Sequence, residues 1–125
     1  MPSDDFKFVI SFDDPDFDDE EKDEEVQKLL NQMRDLEDVT TDRVIDPNPP
    51  EGNKALGGFL VGMLMTEVNG SNAKKLLGFL GDRLSGKTIS LEVEGNGKTL
   101  KVSANSRAEL EAAIAQAQAF IADPA

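Results

Sequence analysis

Two stretches hold residue types at spacings that chemistry uses. Residues 81 to 88 read Gly-Asp-Arg-Leu-Ser-Gly-Lys-Thr and satisfy the phosphate-loop pattern Gly-x-x-x-x-Gly-Lys-Thr letter for letter. That chemistry needs a strand before the loop and a helix after it, so that backbone N–H groups and the positive end of the helix dipole cradle a phosphate. Residues 13 to 25, "DDPDFDDEEKDEE", place carboxylates at positions 1, 3, 5, 7 and 12 of a loop that starts at Asp14, namely Asp14, Asp16, Asp18, Glu20 and Glu25. Hard oxygen ligands in that order suit calcium. The sixth position, however, is Asp19 in place of the turn glycine, and the eighth is Glu21 in place of an apolar residue.

Neighbouring patterns weigh against both. Ala73, Leu76, Leu77, Leu80 and Leu84 recur at helical spacing before the Gly-Lys-Thr, and "TISLEVE" alternates as a strand after it. The order is therefore inverted, and Gly86 stands where a helix C-cap glycine belongs. A helix C-terminus carries the negative end of the dipole and repels phosphate. The stretch reads as a helix end and a strand start. The acidic run follows a strand, not a helix, and reads as a solvated loop leading into a helix N-terminus, where carboxylates are favoured. A calcium-dependent interaction module and, behind it, a nucleotide-binding protein stay as alternatives.

Composition removes other classes. The 125 residues contain no cysteine and no histidine, which excludes thiol catalysis, disulfides, serine–histidine catalysis and imidazole-ligated zinc. No cofactor motif stands out. The net charge of −12 is concentrated at one end: residues 1–25 hold twelve acids against Lys7 and Lys22. The chain has no basic footprint for nucleic acid. The start "MPSDDFKF" lacks a basic region and an apolar run, and the longest apolar stretch, Ala55 to Met65, is too short to span a bilayer. We expect a cytoplasmic protein without a membrane partner.

The rest of the pattern predicts one α+β domain over residues 1–125, with an acidic segment at 13–25 and a short tail at 122–125. "FKFVISF" alternates Phe6, Phe8, Ile10 and Phe12 against Lys7, Val9 and Ser11, the signature of a half-buried strand. Val26, Leu29, Leu30, Met33 and Leu36 predict a helix over about residues 19–37. "DRVID" (42–46) predicts a short strand ended by "PNPPEG" (47–52). Leu56, Phe59, Leu60, Met63, Leu64 and Val68 predict a second helix, and Ala73 to Leu84 a third. "TISLEVE" and "KTLKVSA" flank "GNG" (95–97) as a hairpin, and "SRAE" (106–109) is a capping box that opens a last helix with Leu110, Ala113, Ile114, Ala117 and Ile121 inward. The expected order is β-α-β-α-α-β-β-α, a two-layer sandwich in which a four-stranded mixed sheet carries helices mainly on one face and the first two strands run parallel.

The second helix so predicted bears Gly57, Gly58 and Gly62, each costing about 1 kcal/mol against Ala in a helix interior. A helix tolerates that cost where another backbone approaches closely. Burial inside the domain accounts for one face. A second stripe, Gly58, Val61, Gly62 and Met65, together with Pro47, Pro49 and Pro50 of the preceding loop, is the expected partner-binding surface, for an effector or for self-association.

The punctuation "RVIDPNPPEGNKALGG" (43–58), the later "LLGFLGDRLSGKTISLEVEGNGKTLKVSA" and the closing helix together resemble the effector-associated constant component family, of the first type, from bacterial conflict systems. The resemblance spans about residues 6–121 and consists of turn residues and hydrophobic spacing. Asn53 after Gly52, and Phe79 or Leu80 near the place where a tryptophan often closes the third helix, depart from the family's pattern. The resemblance implies a small α+β domain without catalytic residues. Its role would be that of an adaptor coupling an effector, such as a trypsin-like or caspase-like peptidase or a signalling NTPase, to the rest of an antiviral system.

Overall fold

The computed structural model describes residues 5–36, 39–45, 59–84, 86–95 and 97–122. In chain order these form β1 (Asp5–Phe12), α1 (Asp19–Met33), β2 (Val39–Ile45), β3 (Phe59–Asn69), α2 (Gly70–Arg83), β4 (Ile89–Gly95), β5 (Lys98–Ala104) and α3 (Arg107–Ala122). The class is α+β. The five strands make one open sheet in the order β2-β3-β1-β4-β5, and every neighbouring pair is antiparallel.

This corrects three expectations. The sheet has five strands instead of four and is antiparallel instead of mixed. The predicted helix over residues 56–68 is replaced, from Phe59 onward, by β3. And β1 and β2, though they run in the same direction across the α1 crossover, are not neighbours, because β3 lies between them and pairs with both. The element order is β-α-β-β-α-β-β-α.

The reason lies in how an apolar run reads. A strand with partners on both sides loses the clean alternation of an edge strand, so "FLVGMLM" reads equally as buried helix or buried strand. From Leu64 the period of two becomes visible: Leu64, Thr66 and Val68 are buried, whereas Met63, Met65 and Glu67 are not. The glycines that a helix tolerates only at a cost are no anomaly here. Gly62 adopts φ +74° inside a register shift, where Arg43 faces Leu64 but Ile45 already faces Phe59. Glycine at positive φ lets β3 take up the extra residues without steric cost.

One core joins the sheet to all three helices. Phe6, Phe8, Ile10 and Phe12 of β1 point the same way as Leu64 and Val68 of β3 and as Ile89, Leu91 and Val93 of β4. Against them pack Val26, Leu29, Leu30 and Met33 from α1, Ala73, Leu76, Leu77 and Leu80 from α2, and Leu110, Ile114 and Ala117 from α3. Each helix therefore has its buried side chains where the spacing predicts them, apart from Ile121 and from Leu36, which lies beyond the end of α1 at Met33; both are only partly buried. Thr66, wholly buried, keeps its hydroxyl satisfied by donating to the Thr40 carbonyl at 3.0 Å, so the Thr41 hydroxyl, also 3.0 Å away, donates to it in turn.

The helix starts follow local chemistry. Asp18 caps α1 by accepting from the Glu21 backbone N–H at 2.8 Å, and Glu21 returns a bond to the Asp18 N–H. Asn69 caps α2 by accepting from Asn72 N–H at 3.0 Å. Ser106 accepts from Glu109 N–H at 3.1 Å, while the Glu109 carboxylate reaches back one residue further than a regular capping box, to Asn105 N–H.

Candidate interaction surface

The Gly-Lys-Thr stretch lies at the wrong end of a helix for phosphate. α2 ends at Arg83, Leu84 is its C-cap, Gly86 takes φ +82°, and β4 begins at Ile89. The Lys87 N–H is spent on the Leu84 carbonyl at 3.0 Å, and the Lys87 ammonium pairs with Glu25 of α1 at 2.8 Å. Lys87 thus ties the turn to the first helix. The Arg83 guanidinium sits over the Phe79 ring, 5.3 Å from its centroid.

The acidic run is distributed among structural duties. Asp13 N–H bonds the Thr88 carbonyl and its carboxylate accepts from the Ser90 hydroxyl. Asp14 makes a local turn, accepting from Asp16 N–H at 2.9 Å with its side chain and from Phe17 N–H at 3.1 Å with its carbonyl. Asp18 is the α1 cap, Asp23 pairs with Arg43 of β2, and Glu25 with Lys87. Among the described residues no group of three or more acids converges as a metal site, so Asp14, Asp16, Asp18, Glu20 and Glu25 are not brought together.

The stripe expected to bind a partner was drawn on a helix that β3 replaces from Phe59 onward. Pro47, Pro49, Pro50 and Gly58 lie outside the described residues. Val61, Gly62 and Met65 belong to β3, and Gly62 and Met65, three apart in a strand, face opposite sides of the sheet. Gly62 is buried toward the helices: an added Cβ would stand 3.3 Å from the Lys22 Cβ and 3.3 Å from the Phe12 carbonyl oxygen. Met65 points the other way.

Of the expected partner-binding residues, Met65 lies on that other face, together with residues that a helix reading does not place beside it. Because α1, α2 and α3 pack on one face, the second face of the sheet carries no helix among the described residues. Its middle is apolar: Met65 faces Val9 across β3 and β1, and Met63 faces Ser11 one step along. All four side chains are half-buried, and among the described residues no layer covers them. Beside them lies a shallow depression of about 420 Å³ lined by Val9, Met63, Ser90, Glu92, Lys101 and Ser103. Acidic groups surround the centre. Asp42 faces Met65, Glu92 faces Val9, and Glu67 and Glu94 face Lys7 from either side. Lys101 bridges Glu92 across β4 and β5 at 3.7 Å, largely exposed. With Asp5 at one end and Asp13 at the other, six carboxylates share this face with the two ammonium groups of Lys7 and Lys101, a net charge of −4 among the described residues. The signal was present in the placing of Val9 on the otherwise polar side of β1, whereas a helix over this stretch sets Met63 on its core-facing pattern and Met65 on the expected partner stripe, so the two are not seen to share a face with Val9.

Among the described residues no helix is long and apolar enough to cross a membrane. Comparison with protein-family models, with curated proteins and with solved structures returns no match, so the likeness to the effector-associated family rests on the residues that carry it.

Proposed function

We propose that this chain is a non-catalytic protein-binding module, an adaptor, and that it engages its partner through the helix-free face of the sheet. The observation that supports this is the apolar centre of Val9, Met63 and Met65 on a sheet face that none of the three helices covers. Antiparallel sheets commonly turn one face to water, but that face is then regularly polar. Here the polar pattern gives way in the middle strands. Within the two motif-like stretches, Asp13, Asp14, Asp18, Asp23, Glu25 and Lys87 are engaged in turns, a cap and ion pairs, which agrees with a binding role. In the setting implied by the resemblance, the partner is an effector of a bacterial conflict system, such as a peptidase or a signalling NTPase. The test is co-elution of the chain with the effector encoded beside it. The wild type is expected to co-elute, and Met63→Lys with Met65→Lys to lose the complex while remaining folded. A folded variant that co-elutes like the wild type overturns the reading.

A further inference from the structure

If the uncovered sheet face is the docking surface, its charge and size say what docks there. Resting on that reading, we infer that the occupant is a cationic amphipathic segment of another protein, with apolar side chains on Val9, Met63 and Met65 and Lys or Arg side chains directed at the surrounding carboxylates.

Charge gives the first argument. Asp42 and Glu92 stand opposite Met65 and Val9, and Glu67 and Glu94 stand one same-face step further along; Lys101 answers Glu92, and Lys7 faces both Glu67 and Glu94. One ammonium opposite two carboxylates leaves an anionic surplus at the rim that a basic partner neutralises. Electrostatic complementarity of this kind steers association and rejects partners of the wrong sign. A second copy of this chain is such a wrong partner: each copy has a net charge of −12, and face-to-face pairing would set two surfaces of net −4 against each other.

Size gives the second. Five strands spaced ~4.8 Å apart and about seven residues long at ~3.3 Å each cover roughly 450 Å² in projection. A standard stable protein–protein interface buries about 800 Å² on each partner. A single helix, about 10–12 Å across with its side chains, or one extended segment fits within the face's width of about 19 Å and asks for less than such an interface.

The experiment uses two synthetic probes, a short amphipathic peptide of leucine and lysine and its leucine–glutamate twin with the same apolar pattern. Backbone amide shifts of the full chain report where each binds, and the titration gives Kd. We expect the lysine peptide to shift the amides of Lys7, Val9 and Met65, to bind more weakly as salt rises, and to bind about tenfold more weakly to the triple variant Asp42→Asn, Glu67→Gln, Glu94→Gln. The control variant Asp19→Asn, Glu20→Gln, Glu24→Gln, which removes charge from the exposed start of α1, should keep the wild-type Kd. Equal binding of the glutamate peptide at the sheet face overturns the cationic occupant and leaves the docking face standing. Shifts confined to α1 and lost in the control variant overturn the proposal, as does the absence of any shift on the sheet face. Concentration-dependent dimerisation that shifts the same amides overturns it in favour of a second copy. The co-elution of Met63→Lys/Met65→Lys with the effector judges the face itself independently of all these outcomes.

Discussion

Gly62 of β3 lies directly beneath Lys22 of α1, with room for a hydrogen but not comfortably for a methyl group. A Cβ there would meet the lysine Cβ at 3.3 Å and the Phe12 carbonyl oxygen, a backbone atom, at the same distance. The φ of +74° adds strain for any L side chain. Gly62→Ala should therefore lower stability by about 2–3 kcal/mol, combining a left-handed penalty of about 1–2 kcal/mol with the crowding. Gly86→Ala is the comparison: φ is +82° there, but nothing lies within 4 Å of an added Cβ, so only the backbone penalty applies. Urea unfolding of both variants measures the difference. An equal loss would show that α1 is not held against β3 as described.

The Lys87 ammonium, 2.8 Å from Glu25 at the C-terminal end of α2, meets no phosphate cradle. Calorimetry should detect no magnesium-dependent ATP or GTP binding in the wild type, and Lys87→Ala should lower stability by about 1 kcal/mol or less, as expected for a partly exposed ion pair. ATP binding abolished by Lys87→Ala would contradict this assignment.

Thr66 holds two partners on β2, so removing its hydroxyl strands both. Thr66→Val takes the donor away from the Thr40 carbonyl and the acceptor away from Thr41, itself only 7% exposed. The expected cost is about 1–3 kcal/mol, the range for leaving buried polar groups unsatisfied. Adding Thr41→Val should cost less in the Thr66→Val background than in the wild type, because the Thr41 hydroxyl has then already lost its partner. The double-mutant cycle is the measurement, and strict additivity would remove the pairing.

How far the residues disclosed this in advance depended on their surroundings in the sheet. β1, β4 and β5 announce themselves because each alternates, and α1, α2 and α3 because Val26–Met33, Ala73–Leu80 and Leu110–Ala117 recur at helical spacing. β3 does not, since Met63 and Leu64 are both apolar although one faces the helices and the other faces away. With β3 hidden, the pairing of β1 with β3, and hence the open face around Val9 and Met65, was hidden too. Single-residue signals fared better at Gly86 and Ser106, whose places at a helix end and in a cap follow from residue type and position, whereas the cap role of Asp18 was masked by the run of acids around it.

Asp18 belongs to α1 as a cap before it belongs to any loop of acids. Asp14→Asn, Asp16→Asn and Asp18→Asn together should change thermal stability little, because asparagine also caps a helix and the other side chains are exposed or partly exposed. Asp18→Ala alone should cost about 1 kcal/mol, since the Glu21 N–H then loses its acceptor. Thermal melts compare the two with and without calcium. A large stabilisation by millimolar calcium in the wild type, absent in the triple asparagine variant, would restore the metal reading.

The open face yields the prediction on which the binding reading turns. Met65 sits between Asp42 on β2 and Val9 on β1, and Met63 beside Ser11, all on the side of the sheet away from the helices. Lysine at either position keeps a long aliphatic stem over the strands and lifts its ammonium into water, next to Asp42 in the case of Met65. Nothing in the core has to move. Met63→Lys/Met65→Lys should therefore unfold within about 1 kcal/mol of the wild type, whereas Leu64→Lys, one residue away but wholly buried among Phe8 and the helices, should not fold. Binding should respond in the opposite sense to stability: the double variant removes the apolar centre and cancels two of the surrounding negative charges, so a cationic amphipathic ligand loses both its contacts and its attraction. If the double variant unfolds as readily as Leu64→Lys, the face is covered by part of the chain itself and is not available to a partner. If it folds and binds as before, the contact lies elsewhere on the chain.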